Sequence, residues 1–189
     1  MKLNLKRMIL ESSVVIASVV RHEKAIAEIG RLIVRSLERG GKLLTCGNGG
    51  SAADALHMAE ELVGRYDKER RSLPAIALTA DSTLLTCIPN DYSFERVFSR
   101  QIEGLGRKGD VLVCFTTSGK SPNVMQAIRT ARKRGITTVA LLGKGGGPTK
   151  GLADHEVIVD SHSTARVQEA HTLILHLLLE MIDARFLKK

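Results

Sequence analysis

Along the first forty residues the apolar positions recur every three or four places, the period of a helix that buries one face. This predicts helix over 4–39, in two segments that break near His22. In the second segment Ile26, Ile29, Leu32, Ile33 and Leu37 share a face, and Gly40-Gly41 ends it. Beyond the glycines the period changes. Short unbroken apolar runs at 42–46, 75–78, 110–115, 137–142 and 156–159 read as strands. Helical stretches separate them: one from loop 47–51 through Val63, a short one capped by Asp81-Ser82, and one over 94–105. A fourth has Val124, Ala127, Ile128 and Ala131 on one face, and a long last helix covers about 164–187. Strand–loop–helix alternation with continuously apolar strands predicts a parallel sheet covered on both faces. The expected fold is an α/β sandwich with an N-terminal helical extension and a long C-terminal helix. No linker or repeat interrupts 1–189, so one domain is expected. Sheets of this kind bind ligands at the carboxyl ends of their strands, which singles out loops 47–51 and 116–121.

Composition agrees with such a core: the 189 residues are 43% hydrophobic and 25% charged, which excludes a disordered chain. Aromatics make up 3%, too few for a protein that stacks single-stranded bases. The net charge of +8 leaves an acidic polymer or a small anion as partner. Its placement favours the anion. Arg129, Arg132, Lys133 and Arg134 crowd a helix end, where cations offset the dipole, and Lys188 and Lys189 end the chain. Elsewhere Arg65, Arg70, Arg71 and Arg96 alternate with Glu60, Glu61, Glu69, Asp91 and Glu95, so no basic arm forms and no nucleic-acid partner is expected. Cys46, Cys87 and Cys114 are odd in number and form no C-x-x-C pair, as in a reducing compartment. The N-terminus imitates a signal peptide, but Glu11 and Ser12-Ser13 interrupt its apolar stretch and no small-x-small site precedes Arg21. No run approaches the ~20 apolar residues of a membrane span. A cytoplasmic protein with no membrane partner is expected.

The first loop, Gly47-Asn48-Gly49-Gly50-Ser51, fits a relaxed dinucleotide fingerprint. The acidic residue that would hold a ribose should end the next strand, and the polar loop 66–71 stands there instead. What survives is a glycine turn whose backbone N–H groups can meet an anion at a helix start. The second loop, Thr116-Thr117-Ser118-Gly119-Lys120-Ser121-Pro122, imitates the end of a nucleotide P-loop, but Cys114 occupies the first glycine position. Capping accounts for Ser121 and Pro122 and leaves the Thr-Thr-Ser run unexplained. Two anion-type loops on one sheet point to a phosphorylated small molecule. On the helix after the first loop, His57 and Glu61 stand four apart on one face, as a metal or acid/base pair or as a plain surface hydrogen bond. The last helix carries Gln168, His171 and His176 among apolar residues.

The segments CGNGGSAADALHMAEELVGRY, LPAIALTADSTLLTCIPNDYSFERVFSRQIEGLGRKGDVLVCFTTSGKSPNV and ARVQEAHTLILHLLLEMID resemble the sedoheptulose 7-phosphate isomerase (phosphoheptose isomerase) family of the sugar-isomerase (SIS) fold. The resemblance runs from about residue 40 to 183. It implies a flavodoxin-like three-layer sandwich and a homotetramer with active sites shared between subunits. It implies ketose–aldose isomerisation through an enediol, with Glu61 and His176 as the acid/base pair. It implies one zinc per subunit on His57, Glu61, Gln168 and His176. Ser51, Thr116, Thr117, Ser118 and Ser121 would hold the phosphate. Asn48, Gly49, Gly50, Arg65, Asn90 and Asp91 would meet the sugar, with Glu61 and Gln168 also touching substrate. Lys120 departs from the family, which commonly has Asn there. Gln168 and His176 are eight apart, about 12 Å on an ideal helix, so at least one is expected to reach a neighbouring subunit's loop.

Two other functions share the scaffold. A non-catalytic relative that associates with a replication initiator resembles both loops but lacks residues matching Glu61 and His176, which this chain has. A sugar-phosphate-sensing regulator would need a DNA-binding unit, for which 189 residues leave no room outside the sandwich. Arabinose 5-phosphate isomerases usually carry appended regulatory domains, which this chain is not expected to have.

Overall fold

The computed structural model describes residues 4–187. Lys188 and Lys189, read above as chain-end cations, lie outside the described residues. Five strands, β1 (Leu43–Gly47), β2 (Ala75–Ala77), β3 (Val111–Thr116), β4 (Thr137–Gly143) and β5 (His155–Val159), pair in parallel in the order β2-β1-β3-β4-β5. This is the flavodoxin-like order, and its winding reverses between β1 and β3. The helices are α1 (Leu5–Ser18), α2 (Glu23–Glu38), α3 (Gly50–Val63), α4 (Ser82–Asp91), α5 (Ser99–Leu105), α6 (Pro122–Lys133) and α7 (Thr164–Phe186).

Alternate residues of each strand feed different layers, because successive side chains point to opposite faces. Leu43, Val113, Phe115, Leu141 and Val157 pack with Ile29 and Ile33 of α2, Met58 and Leu62 of α3 and Ile174 and Leu178 of α7. On the other face Leu44, Cys46, Leu112, Cys114 and Leu142 meet Phe98 and Ile102 near α5 and Val124 and Ile128 of α6. Three layers result, with the predicted N-terminal helical extension and long C-terminal helix. Cys46 and Cys114 are paired in register on adjacent strands, their sulfurs 3.4 Å apart as free thiols, and burial pushes the Cys114 thiol up.

The N-terminal break falls where expected, as a 3₁₀ turn at Val19–His22 before α2. The predicted helix over 94–105 is divided: Phe94–Arg96 is one 3₁₀ turn and α5 starts at Ser99. Val97 and Phe98 are drawn into the core between them, and the buried Gln101 amide donates to the Leu78 and Val97 carbonyls, which fixes the break. Helix α1 buries none of its residues and exposes Leu5, Ile9, Leu10 and Val14. A cavity of about 740 Å³ at the amino ends of the strands is lined by Arg35, Arg39, Lys42, Arg107 and Lys108. Helices α2 and α5 end there, so these cations offset helix dipoles, and the predicted loops lie at the other end of the sheet.

Candidate active site

Both predicted loops leave the sheet at its reversal point, one after β1 and the other after β3. Neighbouring strands in register deliver them side by side, Gly47 opposite Phe115 and one residue before Thr116. Gly49 is the N-cap of α3, and Ser51, buried in its first turn, follows. A Cβ on Gly50 would collide with the Gln168 amide, so this glycine lets α7 bring Gln168 against the loop.

The hydroxyl loop is built to hold a shape. Thr116 is the buried last residue of β3, and its Oγ1 accepts the Gly119 N–H at 3.2 Å. Ser118 Oγ accepts the Lys120 N–H at 3.2 Å, while the Lys120 side chain is exposed. Gly119 has φ +61, and a Cβ there would strike the Gly146 carbonyl. Its own carbonyl accepts two bonds from Thr149, from N at 3.1 Å and Oγ1 at 2.7 Å. The glycine turn at Lys144–Thr149, which sequence reasoning passed over, thus braces the loop. Thr117 and Ser118 are half-buried. Ser121 occupies the N-cap of α6 but its side chain makes no capping bond, so its hydroxyl stays available, contrary to the capping expectation.

A reciprocal amide pair ties the two loops together. Asn48 Nδ2 donates to Asn123 Oδ1 at 2.9 Å and Asn123 Nδ2 donates to Asn48 Oδ1 at 2.9 Å.

The imidazole–carboxylate cluster lies where α3 and α7 meet. His57 Nε2 is 3.3 Å from Glu61 Oε1, with the Glu61 side chain 18% exposed. Glu60, which the sequence reading missed although it stands three from His57, joins them: one donor atom of each lies within 4.8 Å of the others. The His176 ring meets the His57 ring edge-on at 5.2 Å and faces Tyr66 at 5.9 Å. Burial, then the carboxylates Glu180, Glu61, Asp67 and Asp183, raise the Tyr66 phenol above its ordinary range, keeping it a proton donor. The cluster's backbone is pinned by buried Arg70, which donates to the Glu61 carbonyl at 2.6 Å, the Leu62 carbonyl at 3.0 Å and Asp183 Oδ1 of α7 at 2.6 Å. No charge-pattern reading of the polar loop 66–71 would have isolated that arginine.

Two buried groups sit just behind. Asp54 Oδ1 accepts from Thr172 Oγ1 at 3.0 Å, its Oδ2 has no partner, and burial raises its carboxyl. His171 is fully buried, and burial pushes its imidazole down to about 4, so the neutral ring donates Nε2–H to the Leu142 carbonyl at 3.2 Å. Arg65 is exposed, and Asn90 and Asp91 bond to each other at 2.9 Å at the exposed end of α4. Among the described residues no hydrogen bond or ion pair joins these three to the cluster. His176 stands against His57 and Gln168 against Gly50 within one chain, so their separation along α7 does not by itself demand a second subunit.

Polar loops flanking the reversal of a parallel sandwich, with an imidazole–carboxylate cluster further along the helix that leaves the first loop, are the arrangement in which open α/β sheets take small polar ligands. The chain matches the SIS domain family over residues 11–143 and belongs to it. A Campylobacter jejuni protein named phosphoheptose isomerase 1 is 54% identical over 161 residues, 85% of this chain and 87% of its own length. Solved phosphoheptose isomerases from Neisseria gonorrhoeae and Francisella tularensis superpose with TM-scores of 0.88 and 0.89 at 39% and 35% identity. They cover 95% and 97% of this chain, and 97% and 100% of their own. The chain is thus an enzyme of the phosphoheptose isomerase family.

Proposed function

We propose that the protein converts sedoheptulose 7-phosphate to D-glycero-D-manno-heptose 7-phosphate in the cytoplasm, at the start of lipopolysaccharide heptose synthesis. The observation that carries this reading is the convergence of Glu61, His57 and His176 where α7 meets α3, the helix that leaves the first loop. In the reaction a base removes the C1 proton, an enediol forms, and the proton returns at C2 while a second group moves the hydroxyl proton from O1 to O2. Glu61 acts as the base and His176 carries the hydroxyl proton. Ser51, Thr116, Thr117, Ser118 and Ser121 hold the phosphate, which fixes the reacting carbons and makes proton transfer productive. Asn48, Gly49, Gly50, Arg65, Asn90, Asp91 and Gln168 bind the sugar hydroxyls.

A metal fits this cluster. Two imidazoles beside a carboxylate are borderline nitrogen and oxygen donors of the kind zinc accepts, while Gln168 lies against Gly50 two turns earlier on α7. His57, Glu61, Gln168 and His176 would hold one zinc per subunit. When bound, the ion supplies Lewis-acid polarisation of the substrate carbonyl. The protein works as a homotetramer in which neighbouring subunits complete the sites; what supports association is that a lone chain leaves Leu5, Ile9, Leu10 and Val14 of α1 in water. Among the described residues no helix is long and apolar enough to cross a membrane.

The direct test is incubation of the purified protein with sedoheptulose 7-phosphate, with and without added zinc. Appearance of the aldoheptose 7-phosphate supports the proposal. No turnover under either condition would favour a binding role on the same scaffold.

A further inference from the structure

A pair of side chains connects the first loop to the start of the helix that leaves the second, and the connection has a direction. Asn123 is 2% exposed in the first turn of α6, whereas Asn48 is half-buried at the mouth of the site. A primary amide has two chemically different ends, and which end faces where is set by its partners. For Asn123 that choice is forced. The Val124 backbone N–H lies 2.9 Å from its side chain and requires an acceptor, so the atom there is Oδ1. With Oδ1 so placed, Nδ2 must donate to Asn48, and Asn48 must return the complementary bond. A backbone N–H of α6 therefore dictates which way the Asn48 amide points. The second Nδ2 proton and second Oδ1 lone pair of Asn48 are left for a ligand.

We propose that Asn123 is a positioning residue: its buried amide fixes the orientation of the Asn48 amide and clamps loop 47–51, at its sugar-contacting Asn48, to the start of the helix that leaves loop 116–121. This rests on the proposed isomerase activity, since it takes Asn48 as a sugar contact. Proton transfer depends on sub-ångström placement of the substrate between its two ends, and this clamp spans those ends where the strand order reverses. Asn123 follows Ser121-Pro122 as a residue of α6, and nothing in its sequence setting separates it from an ordinary helix-start residue.

The test is a double-mutant cycle with Asn48→Ala, Asn123→Ala and the pair, read as kcat/KM for sedoheptulose 7-phosphate and as inhibition by inorganic phosphate. Each single change is expected to cost roughly ten-fold in kcat/KM, the scale of one lost hydrogen-bonding partner. The pair is expected to cost no more than Asn48→Ala alone, with phosphate inhibition unchanged within about two-fold, because the path runs through Asn48. Losses that multiply in the pair would overturn the proposal. The isosteric Asn123→Asp keeps the acceptor for Val124 but cannot donate to Asn48, so it guards against collapse of the alanine variant and is expected to lose kcat/KM similarly. Full activity in Asn123→Asp would also overturn it. Side-chain amide proton exchange of Asn48, followed by NMR, separates this inference from the reaction itself. Slow exchange in the parent and fast exchange in Asn123→Ala supports the clamp even if the parent turns over no heptose phosphate, and equal exchange in both refutes it.

Discussion

At the level of single residues, the site is assembled from groups whose surroundings decide what they can do. His171 is the clearest case. Its imidazole, pushed from 6.5 to about 4 by burial, is held neutral so that it can donate to the Leu142 carbonyl at the end of β4. Because the folded state binds the proton less tightly than the unfolded chain, this contribution is complete above about pH 6.5 and fades as pH falls toward 4. It amounts to about 3 kcal/mol over that window. Urea unfolding of the parent is therefore expected to lose about 2 kcal/mol more between about pH 7 and about pH 5 than unfolding of His171→Asn, which has no proton to gain. Parallel losses in both proteins would show that His171 is not held neutral. The neighbouring Asp54 works in the opposite sense: its raised carboxyl favours the fold at low pH, and that contribution fades as pH climbs past the ordinary carboxylate value. The sequence displayed His57, Glu61 and His176 through helical spacing and family motifs. It could not display Tyr66, Arg70 or Asn123, whose roles come from burial and from partners far along the chain.

The elements transmit that placement. Helices α3 and α7 are locked by the Arg70–Asp183 pair, whose side chains are 0% and 6% exposed and whose arginine also holds two α3 carbonyls. Removing one partner leaves the other charge buried, so Asp183→Ala is expected to destabilise by about 3–5 kcal/mol in chemical denaturation. A loss under about 1 kcal/mol would mean that α3 and α7 are held mainly by apolar contact. The hydroxyl loop depends in the same way on Gly119. Its left-handed backbone and its contact with the Gly146 carbonyl leave no room for a methyl group, so Gly119→Ala should weaken phosphate inhibition at least ten-fold with the sheet intact by circular dichroism. Unchanged inhibition would remove this loop from phosphate binding. Strand positions were legible because their apolar runs are continuous. The split between Phe94–Arg96 and α5 was not, because helical periodicity persists through Val97 and Phe98 and only the tertiary pull of the core and Gln101 breaks it.

For the whole molecule, the parallel order β2-β1-β3-β4-β5 places both loops at one end, and helix ends with their compensating cations gather at the other. Part of the positive charge therefore compensates helix dipoles at the end of the sheet away from the loops. Helix α1 packs Val15 and Ile16 against the core and leaves Leu5, Ile9, Leu10 and Val14 exposed. Light scattering is expected to give the mass of four chains, and Ile9→Glu with Val14→Glu should shift it downward by placing charge on that exposed apolar face. A monomeric parent would contradict the assembly. In the proposed ketose–aldose isomerisation Glu61 abstracts the proton from C1. The measurement for that role is turnover of sedoheptulose 7-phosphate by Glu61→Gln beside the parent, both folded to the same melting temperature. The glutamine keeps the shape and loses the base, so turnover is expected to fall by at least about 10²-fold. A Glu61→Gln protein that isomerises within about two-fold of the parent would exclude Glu61 as the base.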